Sequence, residues 1–122
     1  MYSQLIQDFI EQESLPESYG RDALKYFVPL AKKIAKLILK SKRPLLLGIN
    51  GAQGTGKTTL TKLLVRLLEA REFNMTSFSI DDFYFTKKER QELAKKEHPM
   101  LITRGVPGTH DIALLLEKLN SL

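Results

Sequence analysis

Residues 48–60 read GINGAQGTGKTTL, and within them Gly51, Gly56, Lys57 and Thr58 fit G-x-x-x-x-G-K-[ST] without departure. Few short patterns restrict a fold as strongly. Glycines let the main chain approach an anion and take conformations that a side chain forbids. Loop amides turned inward bind anions as a nest, and a helix opening at Lys57 adds its positive end. In such a cradle the lysine reaches the β- and γ-phosphates and the Thr58 hydroxyl holds Mg²⁺. The nucleotide-binding candidates are therefore Gly51, Ala52, Gln53, Gly54, Thr55, Gly56, Lys57, Thr58 and Thr59. The implied ligand is a nucleoside triphosphate with Mg²⁺.

The flanks supply the context that this pattern needs. LLLGIN, residues 45–50, is a short apolar run of the kind buried on both faces of a parallel sheet. Residues 57–71 predict a helix with Leu60, Leu63, Leu64, Leu67 and Leu68 on its apolar face. NMTSFSI, residues 74–80, predicts a second strand. Strand, glycine loop, helix and strand make a βαβ unit with a right-handed crossover. The fold class is α/β, a P-loop nucleoside triphosphate hydrolase layer.

Before the loop the pattern is helical. Leu5, Ile6, Phe9 and Ile10 recur at helical spacing over residues 2–13, and a second helical stretch runs from 17 to 40 with Pro29 splitting or kinking it. In the latter, Leu30, Ile34, Leu37 and Ile38 form an apolar stripe, and Lys32, Lys36 and Lys40 a solvated one. After the second strand, Thr86 and Glu89 form a capping-box pattern that opens a helix near 87–97. Thr109 is the expected N-cap of a last helix from 110 to 120. The chain of 122 residues is read as one P-loop domain, with residues 1–43 a helical N-terminal region and 44–122 the nucleotide-binding core.

Bulk properties narrow the setting. The net charge of +5 favours anionic partners without choosing among them. No cysteine is present, which removes disulfide frameworks and thiolate zinc sites. The opening MYSQLIQDFIEQE is acidic and lacks the apolar core of a signal peptide, so a cytoplasmic protein is expected.

SIDDFYFTKKER, residues 79–90, puts two carboxylates at the end of the second strand, the sheet edge where ligands bind. A carboxylate there takes a proton from an acceptor hydroxyl, orients that hydroxyl, or holds a water on Mg²⁺. On residues alone, a GTPase, an ATPase motor and a small-molecule kinase stay open. The combination of GINGAQGTGKTTL with SIDDFY resembles the phosphoribulokinase, uridine kinase and pantothenate kinase group. Adding RGVPGTHD, residues 104–111, makes the chain look like the plant-type D-glycerate kinase family, over about residues 44–118.

That resemblance implies an ATP-dependent kinase that phosphorylates a hydroxyl of a small organic acid such as D-glycerate. It carries Asp81 over as catalytic base and second metal-site residue beside Thr58, with Lys57 neutralising phosphate charge. It places Asp82, Tyr84, Arg104, His110 and Asp111 toward the acceptor. A guanidinium at Arg104 suits a carboxylate, since it binds in two-pronged fashion. From spacing alone the plainer reading stands beside this one: Thr109 caps a helix, Asp111 favours its positive end and Arg104 is solvated.

The kinase group has a third strand ending in an acid, an arginine-bearing lid and later strands, and no segment here matches them. LLLE at 114–117 keeps a helical period with Ile112 and Leu119 and reads as helix. The expectation is thus the N-terminal portion of a parallel three-layer sheet with extra N-terminal helices. Such a portion belongs to a longer kinase, or it pairs its strands directly, or it self-associates through unfilled edges. A non-catalytic nucleotide-binding fragment is the alternative to an enzyme. Basic runs with interleaved aromatics are missing, so nucleic acid is not an expected partner. The apolar runs are too short to span a bilayer, and the basic helical face at Lys32, Lys36 and Lys40, which could sit on a membrane or in a partner groove, reads as solvated, so no membrane is expected either.

Overall fold

The computed structural model describes residues 2–52, 54–79, 86–96 and 111–121. The chain divides into two units, Met1–Ser77 and Phe78–Leu122.

In the first unit, α1 (Ser3–Glu13) is followed by α2 (Glu17–Asp22), a π-helical turn (Ala23–Phe27), α3 (Val28–Lys40) and α4 (Lys57–Glu69). Pro16 is the N-cap of α2 in an extended conformation, as a proline entering a helix allows. Pro29 explains the π turn. It has no N–H to give to the carbonyl four residues back, and its ring crowds that carbonyl. The chain widens instead, and Val28 N–H donates to the Ala23 carbonyl, five residues earlier. The helical stretch 17–40 is thus split ahead of Pro29 by a change of winding, as a proline there predicts.

The core is helix on helix. Ile6, Phe9 and Ile10 of α1 meet Leu63, Leu64, Leu67 and Leu68 of α4, with Leu60 partly buried beside them. α3 closes the same core through Val28, Ala31, Ile34 and Ala35. This corrects one expected stripe: Leu30 and Leu37 are exposed, and two alanines take the inward positions. Small side chains let the α3 backbone approach α4, whereas leucines there would hold it off. Tyr19 sits between the rings of Phe9 and Phe27, with centroids 6.3 and 5.7 Å away. Burial first, and the Asp22 carboxylate second, push its phenol pKa above the ordinary value.

The two expected strands differ from expectation. Among the described residues there is no strand ladder. The side chains still alternate: Phe73 and Met75 pack against the helical core, while Asn74 and Thr76 are exposed. Leu46 is 68% exposed against 39% for Leu45, and Ile49 packs against the core. A period of two is the signature of a strand with one face on helices. The expected burial of both faces of 45–50 is corrected, because Leu45, Leu46 and Leu47 are all exposed. A ladder needs N–H and C=O groups from a neighbour, and the described residues do not present one.

In the second unit, α5 (Lys87–Lys96) begins where the capping pattern places it, and Glu89 N–H donates to Thr86 Oγ1 at 3.1 Å. The helix α6 (Ile112–Asn120) includes LLLE, as expected. Its N-cap is Asp111, whose Oδ1 accepts from Leu114 N–H at 3.0 Å. The expected cap at Thr109 is therefore displaced by two residues. Aspartate caps at least as well as threonine, and its charge also favours the positive helix end. Among the described residues no helix is long and apolar enough to cross a membrane.

Candidate nucleotide site

The cradle sits where the exposed loop meets α4. Gly56 is the N-cap of α4 with φ +88°, a left-handed conformation that costs a side-chain-bearing residue strain. From it the helix starts cleanly, with Leu60 N–H on the Gly56 carbonyl at 3.0 Å. No side chain caps this end. Among the described residues the first-turn N–H groups of Lys57, Thr58 and Thr59 thus have no side-chain acceptor, the arrangement that receives phosphate.

The loop is closed upstream by a turn. Thr55 N–H donates to the Ala52 carbonyl at 3.3 Å, and the Thr55 hydroxyl donates to the same oxygen at 2.6 Å. Gly54 is the third residue of that turn with φ +81°, the region a type II turn reserves for glycine. The double use of Ala52 is a feature that the motif alone did not reveal. Its only trace in the sequence is a threonine three residues downstream.

Gly51 shows how tightly the loop folds back. A Cβ added there would lie 3.0 Å from Thr55 Oγ1 and 3.5 Å from both Cγ and Cδ of Lys57. The lysine stem therefore runs alongside Gly51, and Gly51, Thr55 and Lys57 are brought together by the fold. Gly51→Ala is expected to displace the lysine stem and the Thr55 hydroxyl. ATP affinity should fall by about tenfold, the equivalent of roughly one lost polar contact, while the circular dichroism spectrum stays unchanged. Titration of both proteins with ATP checks this.

Thr58 is exposed and Thr59 half-buried on the first turn of α4. Thr61 is turned inward to the helix, its hydroxyl donating to the Lys57 carbonyl at 2.8 Å. Asp111 lies at the start of α6, with one carboxylate oxygen occupied by the cap. Gln53, Asp81, Asp82, Tyr84, Arg104 and His110 lie outside the described residues. Among the described residues no group of three or more His, Asp or Glu side chains is placed to hold a metal ion.

Comparison with known proteins follows the cradle. The KAP family P-loop domain matches residues 27–96, more than half of the chain. An uncharacterized kinase of Schizosaccharomyces pombe is 41% identical over 98 residues, covering 75% of this chain and 35% of the relative. The chloroplastic D-glycerate 3-kinase of Arabidopsis thaliana is 40% identical over 81 residues, covering 65% of this chain and 18% of the relative. A probable ATP-dependent kinase of Saccharomyces cerevisiae is 39% identical over 87 residues, covering 67% of this chain and 30% of the relative. The matches span between 18% and 35% of the length of these curated relatives. No solved structure matches the chain. The match from the start of α3 through the cradle to the end of α5 shows that the chain belongs to the KAP family of P-loop domains, and its likeness to these three relatives makes it similar to P-loop kinases of the D-glycerate 3-kinase kind.

Proposed function

We propose that this chain is the nucleotide-binding part of an ATP-dependent kinase that moves the γ-phosphate to a hydroxyl of a small organic acid, with D-glycerate the first acceptor to try. The observation that carries the reading is the uncapped N-terminus of α4 entered through Gly56, with the Lys57 stem folded along Gly51. Family membership and three kinase relatives support it, one of them named for D-glycerate. The α/β sheet belongs to the same proposal, supported by the alternating exposure of residues 73–76.

In this reading the amides of residues 51–59 hold the triphosphate and Lys57 offsets charge at the β/γ bridge. Mg²⁺ takes hard oxygen ligands, one or two from protein and the rest from phosphates and water. The Thr58 hydroxyl, exposed beside the cradle, fits that donor set, with Asp81 as its partner group. When bound, the ion supplies charge neutralisation on the phosphates. The acceptor oxygen attacks the γ-phosphorus in line, the bond to the β/γ-bridging oxygen breaks and ADP leaves. Asp81 takes the acceptor proton or orients the hydroxyl. Asp82, Tyr84, Arg104 and His110 hold the acceptor, and Asp111 contributes through Oδ2, since Oδ1 caps α6.

The test is incubation with ATP, Mg²⁺ and a panel of hydroxy acids, nucleosides and sugars, following ADP and product mass. Phosphoglycerate supports the full reading; another phosphorylated acceptor retains the kinase and replaces the substrate. In the active form, Asp81→Asn should lower kcat by about 10²-fold with ATP affinity unchanged. An unchanged kcat removes Asp81 from the chemistry. A second reading, a nucleotide-binding unit without turnover, is favoured by the lack of a strand ladder among the described residues. ATP binding with no product from any acceptor selects it. Open strand edges in such a unit would favour self-association, which sedimentation velocity would detect.

A further inference from the structure

From Ala23 to Leu68 the chain holds ten Lys and Arg and no Asp or Glu, while all fourteen acids lie elsewhere with the nine other bases. Ten positive charges on this stretch are set against a net five negative charges on the rest. Among the described residues, three of the ten are engaged with other elements or the cradle, while Lys25 lies 5.3 Å over the ring of its neighbour Tyr26. Lys57 belongs to the cradle, Lys62 is 3.3 Å from Glu13, and Arg66 binds Gln12 and lies over the Phe9 ring.

The others are concentrated on one ridge. Lys25, Lys32, Lys33, Lys36 and Lys40 are all exposed, and an exposed Lys-Arg pair follows just past the end of α3. Among the described residues none of them has an acidic partner at ion-pair distance. The inward face of α3 is taken by Val28, Ala31, Ile34 and Ala35, so Lys32, Lys33, Lys36 and Lys40 occupy its outward face, with Lys25 on the π turn before it. Lys32, Lys36 and Lys40 follow one another at one-turn spacing, where like charges repel. Among the described residues no acid pairs with these lysines to relieve that repulsion, and an anionic partner would relieve it.

The edges of the ridge suggest which anion. Leu39 is 75% exposed, and Leu24 and Tyr26 are 51% and 56% exposed. We propose that the outer face of α3 docks on an anionic phospholipid surface. Lysines on a helix are drawn to acidic headgroups, while leucine and tyrosine beside them settle in the interfacial layer. Single-stranded nucleic acid takes a groove with several aromatic platforms. A convex helix ridge with one exposed tyrosine does not provide that. Arginine forks, the better grip on phosphodiesters, are absent from the helix itself. This departs from the sequence expectation of a merely solvated lysine face, and it does not depend on the kinase reading.

The test is co-sedimentation of the chain with phosphatidylcholine vesicles, plain or carrying about one-third phosphatidylserine. Binding to the serine-containing vesicles alone is expected, lost by more than tenfold between about 0.05 and 0.5 M salt. The triple variant Lys32→Gln, Lys36→Gln, Lys40→Gln should abolish it while keeping the helical spectrum and ATP affinity, and Lys57→Ala should bind vesicles as the parent does. No binding at low salt, or equal binding to plain vesicles, overturns the proposal. Tighter binding to a DNA duplex or an oligonucleotide than to the acidic vesicles overturns it in favour of a nucleic acid partner. A triple variant that still binds overturns it as well.

Discussion

Lys57→Ala is expected to weaken ATP binding by about 10- to 100-fold, since a charge-assisted contact to phosphate contributes roughly 1.5–3 kcal/mol. The loss of turnover in the active form should be larger, about 10³-fold, because the lysine also meets charge that grows as the β/γ bridge breaks. Two controls separate charge from packing. Lys57→Met keeps an unbranched stem beside Gly51 but removes the ammonium, and it should behave as alanine does if charge is the cause. Lys57→Arg keeps the charge but changes the reach, and it should recover part of the affinity and little of the rate. Calorimetric titration with ATP and with ADP is the direct readout. ATP should lose more affinity than ADP, because the lysine reaches the γ-phosphate as well as the β. Unchanged affinity for both would mean that α4 does not receive the phosphates.

Phe9→Ala should have the largest effect on stability. The ring is 1% exposed, packs against Tyr19 and has the Arg66 guanidinium 5.7 Å from its centroid. It joins α1 to α4, so its removal leaves a cavity at the junction that seats the cradle helix. The expected cost is about 3–5 kcal/mol. Thermal unfolding followed by circular dichroism should show Tm lower by roughly 10–20 °C. Phe9→Leu, which refills most of the space, should lower it much less. Saturating ATP should restore part of the loss in the alanine variant, since a ligand that binds only the folded form stabilises it. An unchanged Tm would refute the packing of α1 on α4.

The conformation of the loop was legible because it is set locally. Gly51, Gly54, Gly56, Lys57 and Thr58 lie within eight residues, and backbone conformation there follows from residue type. The positive φ of Gly54 and Gly56 is what that spacing demands. Helix positions were legible for the same reason: apolar period, proline and cap residues act over one or two turns. Even the π turn was foreshadowed, since a proline four residues after Lys25 must disturb the helix.

Choices among neighbours were less accessible. Leu30 and Leu37 were as apolar as Ala31 and Ala35, and hydrophobicity favoured the leucines. Packing against α4 selected the alanines, because two helix backbones come close only where side chains are small. Thr109 and Asp111 were both adequate caps, and only the start of α6 at Ile112 chose between them. The strands show the limit most clearly. The apolar run at 45–50 is a property of one segment and predicted a strand buried on both faces, yet Leu45, Leu46 and Leu47 are exposed, while 73–76 alternates in exposure. Whether such a segment becomes part of a sheet depends on a partner's N–H and C=O groups. The loop conformation, its helix and the P-loop domain match were therefore determined by local sequence; the face that α3 buries and the exposure of Leu45–Leu47 were decided only by tertiary structure, where each depends on what packs beside it.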